Sequence, residues 1–254
     1  MARILWQELT AEDLRAKADA GATVILPVAS MEQHGPHLPV GVDTILCGGV
    51  CKAGAEIAAE RGAAVVVAPT LWCGMAEHHM AFGGTFTFDI PTYRAVLLCL
   101  LKSIERHGFK RVLIVNGHGG NIAALNAFLP DFARETSLTI RATTYPMLVG
   151  EALAALLEDQ KGMMHACEAE TSLMMTLAGG LVRRDRIAEA FGAREAGSIG
   201  TPGTPVTAYV PFREMTQSGV IGDARRASPE KGEAILKACA EGVATFLTEE
   251  KGWR

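Results

Sequence analysis

The sequence predicts an α/β fold in which a mainly parallel sheet carries helices on both faces. Short apolar, β-branched segments alternate with longer segments of helical periodicity, which is the pattern of strands joined by crossover helices. The chain has 254 residues, enough for one large domain or two small ones, and it contains no internal repeat, low-complexity segment or clear linker. We therefore expect residues 1–254 to form a single domain.

Capping residues and apolar runs mark the elements in order. Thr10 and Asp13 have the spacing of a capping box, at the start of a helix that should end near residue 21. Pro91 suits a first helical position, and Gly108 suits the end of the same helix. Apolar runs predict strands at residues 24–29, 63–68, 112–115, 138–145 and 206–211. Helices are expected at about 44–61, from about 121, at 168–177 and at 229–249. Residues 194–216, rich in Gly, Pro and Thr, predict a long loop.

The composition argues against several classes of function. The formal net charge is −4 and no basic run is present, so nucleic acid is not expected as a partner. No apolar stretch approaches the roughly 20 residues of a membrane span, and the N-terminus lacks the apolar region of a signal peptide. The six cysteines form no CxxC pair, which is typical of reduced thiols. These observations predict a cytoplasmic protein that does not bind membranes.

A polar loop follows the first predicted strand and carries Glu32, His34 and Asp43. Residues i and i+2 of an extended segment point the same way, so the side chains of Glu32 and His34 could face one cavity. Carboxylate and imidazole ligands suit Zn²⁺, Mn²⁺ or Fe²⁺. The loop therefore predicts part of a hydrolytic metal site.

A second polar segment, AsnGlyHisGlyGlyAsn at residues 116–121, follows another buried strand. Taken alone, it fits two interpretations equally well. His118 is either a metal ligand in a glycine-rich turn, or an incidental residue of a phosphate-binding turn at a helix N-terminus. Since ligands bind beyond the carboxyl ends of parallel strands, His118 should lie near Glu32, His34 and Asp43, which favours the metal interpretation.

The third polar segment opens the helix predicted at residue 168. Acidic residues in a first helical turn often only complement the helix dipole, so Glu168 and Glu170 have a structural explanation. A metal hydrolase nevertheless needs an acid or base beside its water, and His165 is a candidate. In residues 74–85, His78 or His79 either contacts the substrate or is a half-buried residue of a turn.

Four motifs resemble those of the creatininase (creatinine amidohydrolase) family and occur in the family's order. They are SerMetGluGlnHisGlyProHisLeuProValGlyValAspThr (30–44), GluHisHisMetAlaPheGlyGlyThr (77–85), AsnGlyHisGlyGlyAsn (116–121) and HisAlaCysGluAlaGluThrSer (165–172). The resemblance implies a three-layer α/β/α domain, two metal ions per chain and assembly into hexamers.

The resemblance also implies a set of roles for the site residues. One metal would be held by Glu32, Asp43 and His118, and the other by His34 and a bridging Asp43. Creatininase proper supplies a further glutamate two residues after the motif's histidine, where this chain has Gly120. Glu170 is the expected replacement, as both ligand and catalytic residue, and His165 corresponds to the catalytic histidine.

The resemblance leaves the substrate open. Creatininase proper covers creatinine with tryptophans on a loop, whereas no Trp lies between residues 121 and 165 of this chain. The leading hypothesis is metal-dependent hydrolysis of a non-peptide C–N bond in a small cyclic amide. Zn²⁺ is the expected metal, and His79, Asn116 and the backbone of Gly119 are the expected substrate contacts. The alternatives are hydrolysis of another amide, such as a formamido-pyrimidine, and a non-catalytic nucleotide- or phosphate-binding module.

Overall fold

A computed structural model describes residues 3–192 and 208–253. Its main sheet has four strands, all parallel, in the order β2–β1–β3–β4. Their bounds are β1 Thr23–Val28, β2 Val65–Val67, β3 Arg111–Asn116 and β4 Thr139–Thr144. The central strands β1 and β3 are almost wholly buried, because helices cover both faces of the sheet. The predicted parallel α/β fold is confirmed.

Eight helices lie in the described residues, and the first of them begins with the capping box that the sequence predicts. Their bounds are α1 Ala11–Asp19, α2 Val42–Glu60, α3 Ile90–Arg106, α4 Ile122–Glu135, α5 Gly150–Leu156, α6 Glu168–Ala178, α7 Phe212–Met215 and α8 Pro229–Thr248. Thr10 and Asp13 form the capping box of α1. Asp89 caps α3, with Pro91 in its first turn. β5 (Phe191–Gly192) and β6 (Gly222–Asp223) form a small antiparallel pair.

Alternate side chains of the strands divide the core into two layers. On one face, Ile25 and Leu113 belong to a cluster formed mainly with α2, α6 and α8. On the other face, Val24 and Ile114 belong to a cluster formed mainly with α3 and α4. The domain is therefore a three-layer α/β/α sandwich.

The structure changes some of the predicted boundaries. The strand predicted at 63–68 is limited to Val65–Val67. The strand predicted at 206–211 is wrong for its described part, because residues 208–211 are irregular. Pro211 cannot donate to a strand ladder, and the residues after it form α7 inside the predicted long loop. Residues 206–207 of the predicted strand and residues 194–207 of the predicted long loop lie outside the described residues. Among the described helices, none is long and apolar enough to span a membrane.

Candidate metal centre

Five buried acidic and histidine side chains meet at the carboxyl ends of β1 and β3. Glu32 and His34 lie on the loop after β1, His118 directly follows the turn after β3, and Asp43 and Glu170 lie in the first turns of α2 and α6. Neighbouring strand ends of a parallel sheet share one edge, which brings these distant segments together. All five predicted metal ligands thus lie in one cluster.

The first group of candidate ligands consists of Glu32, Asp43 and His118. His118 Nδ1 lies 3.1 Å from Glu32 Oε2 and 3.2 Å from Asp43 Oδ2. The other ring nitrogen, Nε2, lies 3.1 Å from the Met75 carbonyl oxygen and donates to it. Because this bond places the proton on Nε2, it leaves Nδ1 free to bind a metal ion.

The second group consists of His34, Asp43 and Glu170. His34 Nε2 lies 3.1 Å from Asp43 Oδ1 and 3.8 Å from Glu170 Oε2. His34 Nδ1 donates to the Glu32 carbonyl oxygen at 3.1 Å, which again leaves the inward nitrogen free. Asp43 directs one carboxylate oxygen toward each group, so it is placed to bridge two ions.

Several inward atoms of the cluster have no hydrogen-bond partner within the described chain. They are Glu32 Oε2, His34 Nε2 and Asp43 Oδ2. The inward ring nitrogens of His34 and His118 lie 3.1 or 3.2 Å from carboxylate oxygens of Glu32 and Asp43, but these contacts do not have hydrogen-bond geometry. Leaving such atoms buried and unpaired costs about 1–3 kcal/mol each. Two ligands of one tetrahedral Zn²⁺, each at about 2.1 Å, lie about 3.4 Å apart. The residues present therefore fit divalent cations.

The carboxylates also control the protonation of the histidines. Burial lowers the pKa of His34, but Asp43, Glu170 and Glu32 outweigh this effect and raise the pKa to about 9. Burial lowers the pKa of His118 as well, but Glu32 and Asp43 raise it well above the ordinary value. Burial raises the pKa of Glu170 to about 7 against the opposing effect of His34. In the metal-free protein, protons therefore occupy the positions that face the cluster.

His165 lies beside the cluster and stays neutral. Its Nε2 donates to the Gln33 carbonyl oxygen at 2.8 Å, and Nδ1 lies 3.6 Å from Glu32 Oε1. Burial lowers the pKa of His165 well below the ordinary value, and His34 and His79 lower it further. A neutral imidazole with a free Nδ1 can accept a proton in the cavity.

The predicted substrate contacts have different positions. Gly119 lines the cavity beside the cluster, and His79 lines it with Nε2 3.2 Å from Glu32 Oε1. Asn116 is fully buried below the cavity. Its Oδ1 accepts from the His118 N–H at 3.1 Å, and its Nδ2 donates to the His118 carbonyl oxygen at 2.7 Å. The structure therefore places Asn116 in support of the His118 turn and away from the cavity wall.

The surroundings of Gly120 account for the absence here of the glutamate expected from creatininase proper. A Cβ at this position would lie 2.4 Å from both His118 Nε2 and the Met75 carbonyl oxygen. The turn therefore has no room for a side chain. Glu170 instead approaches the second group from α6, where its Oε2 accepts from the Ala166 N–H at 2.5 Å.

The cavity beside the cluster has a volume of about 380 Å³ and an apolar wall. The wall consists of Ile122, Pro146, Met147, Met163, Met164, Phe212 and Ile221. The ring centroid of Phe212 lies 4.2 Å from that of His79 and 4.6 Å from that of His165. Sequence reasoning missed Phe212, because it lies in a predicted loop with no motif. A polar centre with an apolar wall suits a small organic molecule bound through its polar group.

The fold is a three-layer α/β/α domain, and two groups of side chains that could each hold a metal ion lie at its strand ends. A family model described as creatininase, creatinine amidohydrolase, matches residues 7–247. The chain belongs to the creatininase family of amidohydrolases, as its motifs predict.

Characterised relatives differ in what they act on. The chain is 30% identical to a creatinine amidohydrolase of Pseudomonas putida over 260 residues, covering 96% of this chain and 95% of the relative. It is 29% identical to a mycofactocin precursor peptide peptidase of Mycolicibacterium smegmatis, covering 90% of this chain and 87% of the relative. The family therefore includes proteins named for a small cyclic amide and for a peptide.

Solved structures share the whole fold. A crystal structure of creatinine amidohydrolase superimposes with a TM-score of 0.80 and 26% identity, covering 100% of this chain and 99% of the other. A manganese form of creatininase has a TM-score of 0.76 and 26% identity, covering 99% of both chains. A variant creatininase described as the Zn–Zn type has a TM-score of 0.76 and 25% identity, covering 100% of this chain and 99% of the other.

Proposed function

We propose that the protein is a metal-dependent amidohydrolase that cleaves a non-peptide C–N bond of a small cyclic amide, and that residues 1–254 form its single domain. The observation that carries this proposal is the pair of buried ligand groups that share Asp43. Three inward atoms of these groups lack a hydrogen-bond partner among the described residues, and a cation would satisfy them.

Glu32, Asp43 and His118 would hold one ion, and His34, Asp43 and Glu170 the other. Zn²⁺ is the favoured ion, with Mn²⁺ or Fe²⁺ as alternatives, since mixed nitrogen and oxygen ligands suit all three. The manganese and Zn–Zn forms of related creatininases support this range. Bound ions of this kind supply a nucleophilic water at neutral pH and polarise a carbonyl oxygen.

His165 is the proposed acid–base residue. The bond from Nε2 to the Gln33 carbonyl oxygen fixes the ring, so Nδ1 faces the cavity. His165 would accept a proton at Nδ1 and pass it to the leaving nitrogen of the amide. Glu170 is proposed to share in catalysis, because its carboxylate lines the same cavity. The backbone of Gly119 would orient the substrate, and Asn116 would contribute by holding the His118 turn.

The shape of the cavity bears on the substrate. Its apolar wall would hold the ring of a cyclic amide, and no Trp lies between residues 121 and 165 to cover creatinine itself. A formamido-pyrimidine would fit the same chemistry. A peptide is the second candidate, because Met147 is 71% exposed and leaves that side of the cavity open, and because a relative is named as a peptide peptidase.

The first experiment measures metal content and hydrolysis on the same preparation, purified without chelator. About two ions per chain are expected. The hydrolysis panel contains creatinine, a formamido-pyrimidine and a short peptide. Asp43→Asn should lose both ions and all hydrolysis, whereas Asp19→Asn on the exposed end of α1 should lose neither. Absence of metal even after addition of Zn²⁺ or Mn²⁺ would overturn the proposal and favour the nucleotide- or phosphate-binding alternative.

We also propose a homohexamer located in the cytoplasm. Trp72 and Phe86 pack edge to face on the surface, with ring centroids 5.4 Å apart, although they are 45% and 59% exposed. Exposed aromatic pairs of this kind are typical of contact surfaces between subunits. The described residues include all six cysteines, and all six are free, which suits a reducing compartment. Light scattering coupled to size-exclusion chromatography tests the hexamer.

A further inference from the structure

The side chain of Gln33 is held in one orientation by two backbone groups. Gln33 is buried between two proposed ligands on the loop after β1. Its Oε1 accepts from the Gly35 N–H at 2.9 Å, and its Nε2 donates to the Gly219 carbonyl oxygen at 3.2 Å. A peptide N–H only donates and a carbonyl oxygen only accepts, so these two partners define which end of the amide is nitrogen.

The orientation of this amide determines which nitrogen of His79 carries the proton. Gln33 Nε2 lies 3.1 Å from His79 Nδ1, which must accept. The proton of His79 is therefore on Nε2, which lies 3.2 Å from Glu32 Oε1, close enough for the N–H to attract the carboxylate oxygen. Gln33 Nε2 also lies 2.9 Å from His165 Nε2. Because that nitrogen donates to the backbone carbonyl oxygen of Gln33 at 2.8 Å, the two hydrogens of Gln33 Nε2 are left for Gly219 and His79.

The contact with His79 involves Oε1 of Glu32 and leaves the other oxygen for the cluster. Glu32 Oε2 lies 3.1 Å from His118 Nδ1 and has no hydrogen-bond partner among the residues described. Resting on the two-ion site proposed above, we infer that Gln33 and His79 are positioning residues that hold Glu32 with Oε2 toward the metal ion. Outer partners of metal ligands typically contribute about 10–100-fold to metal affinity. His79 thereby has a role beyond the predicted contact with substrate.

Two neighbours show that the surroundings are shaped around this hydrogen-bond chain. Gly219 has a left-handed φ of 77°, and a Cβ there would lie 2.1 Å from Gln33 Oε1. Only glycine allows its backbone to approach the amide so closely. The Phe212 ring, with its centroid 4.2 Å from that of His79, packs against the imidazole and restricts its rotation.

The test compares metal affinities in a double-mutant cycle, with Zn²⁺ titrated into metal-free protein against a competing chelator. His79→Leu removes the N–H beside Glu32 Oε1 and should weaken Zn²⁺ binding about 10–100-fold. His79→Gln offers an amide N–H in place of Nε2–H and should retain most of the affinity. Gln33→Met should weaken binding when His79 is present, and much less in the His79→Gln background, where no tautomer needs to be fixed. Equal losses in both backgrounds would overturn the inference.

Gln160→Met is the matched control for the glutamine substitution. Its Oε1 is buried without a hydrogen-bond partner in the described structure, so the change should leave Zn²⁺ affinity unaltered. A loss as large as that of Gln33→Met would show a general effect of such substitutions, and would count against the inference.

The tautomer itself gives a readout that does not depend on metal. Solid-state NMR of metal-free protein labelled with ¹⁵N-histidine should show His79 protonated on Nε2, with its signal assigned by its loss in His79→Gln. Gln33→Glu should move the proton to Nδ1, because a carboxylate only accepts. Protonation of wild-type His79 on Nδ1 would refute the hydrogen-bond chain. A wild-type protein that binds no ion would instead overturn the proposed function. The spectra of the metal-free protein would still show whether His79 has the tautomer that the hydrogen-bond chain requires.

Discussion

The protonation of the ligand cluster makes metal binding depend on pH by a predictable amount. In the metal-free protein, the carboxylates around His34 raise its pKa to about 9. A metal ion binds only the neutral imidazole. At pH 7, which is about two pH units below the pKa of His34, the ion must therefore displace a proton from the ring. Each unit corresponds to a tenfold change in the binding constant. The affinity of the group formed by His34, Asp43 and Glu170 should therefore rise about 100-fold from pH 7 to pH 9.

Below neutrality the dependence should steepen, because the pKa of Glu170 is raised to about 7 and a second proton must then be displaced. The assay is a Zn²⁺ titration against a competing chelator from pH 6 to pH 9.5, with proton release counted by calorimetry in two buffers of different ionisation enthalpy. His107→Gln changes a histidine outside the cluster and should leave the slope unaltered. A constant affinity between pH 7 and pH 9 would refute the reasoning.

Three further predictions concern turnover and stability. His165→Asn should retain metal and lower kcat by about 10²–10⁴-fold, and an unchanged kcat at verified metal content would exclude a proton-transfer role. Glu168→Ala removes a buried carboxylate that accepts two backbone N–H groups, and should lower the free energy of unfolding by about 3 kcal/mol or more in urea. Gly232→Ala would place a Cβ 2.0 Å from the Ser172 carbonyl oxygen, and should cost about 1–3 kcal/mol in the same assay. Gly150→Ala, whose Cβ meets no described atom within 4 Å, is the control and should cost much less.

Most of the fold could be predicted because its signals are local. A strand buried on both faces reads as a continuous apolar run, and β1 and β3 both do so. The capping box at Thr10 and the proline near the start of α3 set helix boundaries through contacts three residues apart or fewer. The order of the strands is not local, because it depends on which apolar faces pack together. The sequence therefore indicates a parallel sheet without defining β2–β1–β3–β4.

The gathering of the candidate ligands could be predicted for a topological reason. Glu32 and His34 follow one strand and His118 follows another, and parallel strands end at the same edge of the sheet. The partners of those ligands could not be predicted in this way. Gln33 and His79 are 46 residues apart and meet only because a 3₁₀ turn, Glu77–Phe82, packs against the loop after β1. No periodicity in the sequence encodes that contact.

The position of the proposed ligand Glu170 has a structural consequence. The turn at Gly120 has no room for a side chain, and the second group of candidate ligands includes Glu170 from α6. The residue that holds Glu170, Ala166, has a left-handed φ of 51° and directly follows His165. The His165 carbonyl oxygen is in turn bound by the Ile221 N–H at 2.9 Å. The proposed ligand Glu170 and the proposed acid–base residue His165 therefore lie on one short, strained segment. A displacement of that segment would move both, so metal binding and proton transfer should respond together to changes there.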